Sequence, residues 1–427
     1  MTASPRPVRS ARRARQLRVL ALGVSMLFAL GCTELLLHLA PGLLPASFRQ
    51  RFPPNGVEFF RPGLLDQIAC DELPLPYGVE PFDGPPPHDI IDFGSAAPAD
   101  AEIDRSTVPR LVVPADRDGL PNRADHASAD LVLVGDSFTV FAAQQQPPGL
   151  QVGLEHELGV RCRNLAVSGI GPDHELFLLR QRGLPALPKL VVWFFFAGND
   201  VPDAFWVRYH HGLGIKTLGE LFANNRAPRL ILPSLIASWF TAGPPRTATP
   251  LPPFELAAAP ATKLWFHPNT LRLMGMPPAM LLQNPGWSGV TEVLQKAKDE
   301  VAAAGAQLLL VYLPSKEEVY LPYVRPAAER LHAAALTSTL VGLPMAETPP
   351  QFLADLLQHR HAQEAALQAL AATLGVPFWS ATGPLDAAAQ RGELVYYATD
   401  THWRAEAQQA VLPGLLDAIR ATGALPR

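Results

Sequence analysis

The chain has 427 residues, 48% of them hydrophobic and 17% charged, with 35 Lys+Arg against 39 Asp+Glu. That apolar content buries enough surface to offset ordering entropy, which excludes a disordered chain. Past residue 40 the chain carries 29 basic and 38 acidic residues, a net −9, and such an acidic body argues against nucleic acid as a partner, because phosphate contacts need Lys/Arg patches.

Residues 1–18 hold Arg6, Arg9, Arg12, Arg13, Arg15 and Arg18 and no acid, and an uncharged run follows from Val19 to Cys32. Arginines retain a terminus in the cytoplasm, so the pattern predicts a cytoplasmic segment over 1–18 and a transmembrane anchor over 19–40. A cleaved signal peptide is the alternative, and Cys32 after Ala29-Leu30-Gly31 resembles a lipoprotein box. The expected place is the inner membrane, crossed once, with the rest of the chain periplasmic or extracellular. Cys70 and Cys162 are then the possible disulfide pair in the exported part, with two free thiols as the other option. The absence of a CxxC or Cys/His cluster argues against zinc.

Residues 41–128 contain 15 of the 45 prolines and read as a wrapping segment ahead of a domain at 129–425. Within that domain, short apolar runs at 130–135, 162–167, 189–196, 307–313 and 376–379 suit strands buried on both faces. Helical periods at 173–181, 291–304 and 362–374 lie between them, and alternating strand and helix predicts an α/β doubly wound parallel sheet. Residues 200–288, with 13 prolines and no clear period, read as an insertion.

Ligands of open parallel sheets bind beyond the carboxyl ends of the strands. Four short elements fall there: Gly135-Asp136-Ser137, Ser168-Gly169-Ile170-Gly171, Gly198-Asn199-Asp200 and Asp400-Thr401-His402-Trp403. Singly each has a plain explanation: Ser137 as a helix N-cap, Gly169 as a turn glycine, Asn199 as a turn closer, His402 as a structural histidine. Together they supply a nucleophile (Ser137), a base (His402) and a carboxylate to hold it (Asp400). The amides of Ser137 and Gly169 and the side chain of Asn199 are of the type an oxyanion needs.

In content and order these residues resemble the SGNH (GDSL-like) hydrolase superfamily, whose Ser, Gly, Asn and His correspond to Ser137, Gly169, Asn199 and His402, over about 130–200 and 289–422. The resemblance implies a flavodoxin-like three-layer α/β/α sandwich, Ser137 as nucleophile, His402 as base and an oxyanion hole of Ser137, Gly169 and Asn199, with neither cofactor nor metal. Many members place the acid three residues before the histidine, where this chain has Thr399; Asp400 is two before. That Asp-Thr-His-Trp spacing is similar to the branch of periplasmic alginate O-acetyltransferases, which implies an acyl ester of a small molecule or polysaccharide as substrate. If Asp400 fails to reach His402, a Ser-His dyad results. Leu313-Pro314-Ser315-Lys316 is similar to a Pro-x-Lys stretch of that branch, while base rates for lysine place Lys316 on the solvated surface.

Three other readings compete. Gly169-Ile170-Gly171 after a strand suggests a dinucleotide loop, but the third glycine position is His174. His210-His211, or His359 with His361, are the metal candidates, and they lack a visible carboxylate partner. A catalytically inactive, SGNH-fold glycan-binding or assembly protein would keep the fold and lose the chemistry.

Overall fold

The computed structural model describes residues 9–39 and 116 and, with short gaps, 120–205 and 253–425. The Pro-rich 41–115, with Cys70, the 206–252 part of the expected insertion, with His210-His211, and Thr399 lie outside the described residues. Helix α1 (Arg9–Leu39) is the first described element of the chain. Its Arg15–Leu36 stretch is long and apolar enough to cross a membrane, a property that signal sequences share.

The rest is built on a sheet. Strand β1 (Leu131–Val134) turns directly into α2 (Ser137–Phe141), followed by α3 (Leu150–Leu158), β2 (Cys162–Asn164), α4 (Pro172–Leu178) and β3 (Leu190–Phe196). A small antiparallel pair, β4 (Phe254–Glu255) and β5 (Lys263–Leu264), leads to α5 (Pro268–Met274), α6 (Pro278–Gln283) and α7 (Pro285–Ala303). Then come β6 (Gln307–Leu313), α8 (Lys316–Tyr320), α9 (Ala328–Leu336), α10 (Pro349–His359), α11 (Ala362–Leu374), β7 (Phe378–Ser380), α12 (Thr382–Gln390) and α13 (Ala405–Thr422).

The five long-range strands are all parallel, in the order β2-β1-β3-β6-β7. Counted along the chain without the small hairpin, that is 2-1-3-4-5, the flavodoxin-like order, with its switch point beside β1. Side chains alternate along each strand. Leu131 and Leu133, Leu190, Val192, Phe194 and Phe196, and Leu309, Val311 and Leu313 enter a core shared with α3, α12 and α13. Val132 and Val134, Val191, Trp193 and Phe195, and Leu308, Leu310 and Tyr312 enter a second core under α4, α7 and α11. Both faces are therefore covered, as the unbroken apolar runs require, and the fold is the expected α/β sandwich.

Several elements differ from expectation: the last strand is Phe378–Ser380 rather than 376–379, the helix expected at 291–304 starts at Pro285, and the described end of the expected insertion forms β4, β5, α5 and α6. The second strand ends at Asn164 rather than 167, because the Asn164 side chain turns the chain by accepting from the Ala166 amide at 2.9 Å and donating to the Thr139 carbonyl at 2.7 Å. The helix expected at 173–181 changes pitch after Leu178 into a π-helical turn over Leu179–Gly183.

Candidate active site

The site starts at the carboxyl end of β1. Gly135 sits in the strand-to-helix turn, where a Cβ would collide with the Thr139 side chain, so only glycine allows α2 to start this close to the strand. Asp136 is the N-cap of α2, accepting the Phe138 amide at 2.9 Å, which leaves Ser137 as the first helical residue rather than the cap.

Strands β2 and β3 flank β1, with Leu131 in register with Cys162 on one side and Leu190 on the other. The loops that follow these three strands therefore share one rim. Gly169 lies in the loop after β2 with φ +76°, a left-handed conformation that suits glycine. Asn199 lies in the turn after β3, where its carbonyl accepts the Asp203 amide at 2.8 Å. Its side chain interacts with Asp136 and Asp203 and favours the charged form of both.

The histidine arrives from the other end of the chain. Residues 395–398 and 400–404 form the arms of a narrow clip: Arg404 N donates to Val395 O at 2.8 Å, and Tyr397 N to His402 O at 3.0 Å. At its tip, Asp400 accepts the His402 backbone amide at 2.8 Å and the imidazole Nδ1–H at 2.5 Å through the same carboxylate oxygen. His402 Nε2 faces Ser137 Oγ at 2.7 Å. With Nδ1 carrying the proton toward Asp400, Nε2 presents a lone pair to the serine hydroxyl. Asp400 thus reaches His402 despite the two-residue spacing, and Ser137, His402 and Asp400 form one hydrogen-bonded chain.

Electrostatics follow from this arrangement. Burial works against an imidazolium at His402, but the charge and hydrogen bond of Asp400, aided by Asp136, outweigh it and raise its pKa. Burial works equally against an Asp400 carboxylate, and the charge and hydrogen bonds of His402, with Lys316, more than offset it, so its pKa is lowered. Asp136 is raised, chiefly by burial.

Lys316 corrects the sequence expectation. Instead of lying on the surface it is fully buried, and its ammonium donates to the carbonyls of Asp400 at 2.7 Å, Tyr397 at 3.2 Å and Ala398 at 3.3 Å. Burial lowers its pKa to about 8, against the raising effects of Glu317 and Asp400. Of the metal candidates, His359 Nδ1 faces the Gly275 carbonyl at 3.2 Å and His361 Nδ1 faces Glu364 at 3.3 Å, and among the described residues no His/Cys/Asp/Glu group is arranged to hold a metal. Cys162 is a buried free thiol on β2.

Sequence reasoning missed Asp136 as cap and charge partner. It also missed Phe138 and Phe141, whose rings lie 5.0 and 4.6 Å from the imidazole centroid. The cap was legible in Gly-Asp-Ser before an apolar run; the aromatic contacts join residues too distant in sequence to be read.

No protein-family model matches the chain, and no curated protein matches it. Among solved structures it is similar to TesA, at 14% identity over 68% of this chain and 98% of that one, with a TM-score of 0.32. It is also similar to a catalytic mutant of Axe2, an acetylxylan esterase from Geobacillus stearothermophilus, at 10% identity over 69% and 95% of the two chains, TM-score 0.31. A third is a GDSL-like lipase from Parabacteroides merdae, at 10% identity over 70% and 97%, TM-score 0.33. At these TM-scores the likenesses carry no weight for the chemistry, which rests on the hydrogen bonds of the site itself.

Proposed function

We propose that this protein is a serine-dependent acyl-transfer enzyme of the SGNH type, a single-pass inner-membrane protein whose 129–425 domain acts outside the cytoplasm on acetyl esters of a cell-envelope glycan. The observation that carries the reading is the continuous chain from Asp400 Oδ1 through both imidazole nitrogens of His402 to Ser137 Oγ. In this reading His402 Nε2 takes the hydroxyl proton as Ser137 Oγ attacks the ester carbonyl, and Asp400 stabilises the imidazolium that forms. The amides of Ser137 and Gly169 and the Asn199 side chain receive the oxyanion. The imidazolium then protonates the leaving alcohol, and water or a sugar hydroxyl resolves the acyl-Ser137, which makes the enzyme an esterase or an O-acetyltransferase.

The membrane-length helix preceded by arginines supports the extracytoplasmic placement, and the Asp-Thr-His-Trp resemblance supports a glycan ester. The test is release of p-nitrophenol from p-nitrophenyl acetate by the chain and by Ser137→Ala, with and without an oligosaccharide acceptor. Ser137-dependent turnover is expected, and acetate appearing on the acceptor assigns transfer rather than hydrolysis. A folded protein with neither turnover nor fluorophosphonate labelling of Ser137 would favour the inactive, glycan-binding alternative.

A further inference from the structure

The four residues Ser315, Lys316, Glu317 and Glu318 are consecutive, polar and nearly inaccessible, at 1%, 0%, 1% and 2% exposure. Burying a run of this kind is costly unless its groups are paired, and each of the four makes hydrogen bonds. Ser315 and Glu318 close a capping box at the start of α8, and Glu318 also accepts the Tyr312 hydroxyl at 2.7 Å. Glu317 accepts the His267 amide at 2.6 Å, ahead of α5. Lys316 crosses to the clip that carries the imidazole.

Neighbouring bonds fasten the same two segments. Tyr396 Oη donates to the Pro314 carbonyl at 2.6 Å, Tyr320 Oη donates to Glu393 O at 2.6 Å, and Val395 N donates to Tyr320 Oη at 2.7 Å. The tyrosine bonds hold the base of the clip, at 393–396. Lys316 alone among them reaches its tip, and its shortest bond is to the carbonyl of Asp400 itself.

We infer that Lys316 is a positioning residue for the acyl-transfer centre: its ammonium draws the three carbonyls of the clip tip together and thereby sets the Asp400 carboxylate against His402 Nδ1. This rests on the proposed roles of Asp400 and His402. An ammonium suits the task because its three donors match three carbonyl acceptors, of which that of Ala398 also accepts the Trp265 amide at 2.9 Å. The charged or titratable groups facing Lys316 are Glu317 on its own turn, Asp400 and His402 on the clip, and His267 before α5. His267 stays neutral, its pKa lowered to about 4 by burial and then by Lys316. With His267 neutral, the charged groups that face the lysine are the carboxylates of Glu317 and Asp400 and, when it is protonated, the His402 imidazole.

The test uses the full chain in detergent with ¹⁵N-labelled histidine, comparing wild type, Lys316→Met, Asp400→Asn and Tyr320→Phe. Wild type should show a downfield Nδ1–H resonance that Asp400→Asn abolishes. Lys316→Met should weaken or lose the same resonance and lower the titration midpoint of His402, because the imidazolium loses the Asp400 contact that raises it. In turnover, Lys316→Met should reduce kcat about tenfold or more with KM within twofold, as expected for a misplaced catalytic group. Added to Asp400→Asn it should cost little further. Tyr320→Phe should lower stability while leaving the resonance and midpoint as in wild type.

A Lys316→Met protein whose resonance and midpoint match wild type overturns the inference. So does a midpoint that rises, since Lys316 would then act only as a repelling charge. If Lys316→Met does not fold, Lys316→Gln is read in the same way, and failure of both to fold assigns Lys316 to stability and also overturns it. Absence of Ser137-dependent turnover in wild type counts against the proposed function, whereas the resonance and midpoint judge the positioning role without any substrate.

Discussion

The indole N–H of Trp403 donates to the carbonyl of Phe138 at 3.0 Å. The residue after the imidazole is thus bonded to the residue after the nucleophile, although 265 positions separate them in the chain. Phe138 and Phe141, from the turns that follow Ser137, also pack on the His402 ring. The 2.7 Å approach of His402 to Ser137 is consequently supported by one buried hydrogen bond and two ring contacts besides the bond between the reacting groups.

Trp403→Phe should remove that bond while keeping an aromatic ring in place. Trp403 is 1% exposed, so the Phe138 carbonyl would lose its partner in a dry site. The cost should be about 1–3 kcal/mol, the penalty of an unsatisfied buried acceptor plus a small cavity, read from denaturant midpoints. Turnover should fall as well, because the serine and imidazole segments lose their direct tie. Unchanged stability would show that the carbonyl finds another donor.

Ser137→Ala and His402→Ala should each abolish most of the turnover, and the double variant should be hardly worse than either single one. Groups that act in one proton transfer are strongly non-additive, with losses on the order of 10⁶ where a serine centre is dismantled. Steady-state rates of the three variants check this. Multiplicative losses would mean that serine and histidine act independently.

Most of the fold was legible because its signals are local. Apolar runs such as Leu131–Val134 and Leu190–Phe196 are buried on both faces, and a run without alternation conveys that directly. The reacting residues were legible because Ser137 sits just past a strand, where this architecture places chemistry, and Asp400 and His402 fall together just before the last helix. Lys316 was not, because a lysine after Pro314 looks the same in sequence whether it reaches water or three carbonyls 81 to 84 residues away. The end of β2 was missed for a related reason: Asn164 breaks the strand through side-chain bonds to Thr139 and Ala166 that no apolar pattern encodes.

The pH dependence follows from the two shifts at the site. His402 has to be neutral to accept the Ser137 proton, and its pKa is raised, so kcat/KM should rise with pH along an acid limb centred above about 6.5, the ordinary imidazole value. Asp400→Asn should move that limb downward and lower the rate by roughly 10⁴-fold, the cost of the same change in a Ser-His-Asp triad. The pair also contributes to stability with opposite signs. The raised His402 contributes below its unfolded pKa and loses that contribution as pH rises through the folded value. The lowered Asp400 contributes above its unfolded pKa and loses it as pH falls through the folded value. A rate profile with no acid limb between about pH 5 and 8 would remove His402 as the base.

Behind the nucleophile lies a buried carboxyl group with the reverse effect. Glu175 on α4 is 1% exposed, and its pKa is pushed well above the usual carboxylate range, first by burial and then by the charges of Asp200, Asp136 and Asp203, with the Trp193 indole opposing. A carboxyl raised in the folded state holds a proton that the unfolded chain has already released. Its contribution is therefore complete below about pH 4.3, the ordinary glutamate value, and declines as pH rises toward the folded pKa. Glu175→Gln keeps the shape and removes the titration, so wild type should lose stability between pH 5 and 8 more steeply than the variant. His402 declines across part of the same window in both proteins, so the informative quantity is the difference between the two curves. At pH 8 the variant should be the more stable by about 1–3 kcal/mol, the scale on which an uncompensated buried polar group is penalised. Parallel curves in urea melts across that range would mean that Glu175 is already neutralised by a partner, and the carboxyl group would then have no part in the alkaline loss of stability.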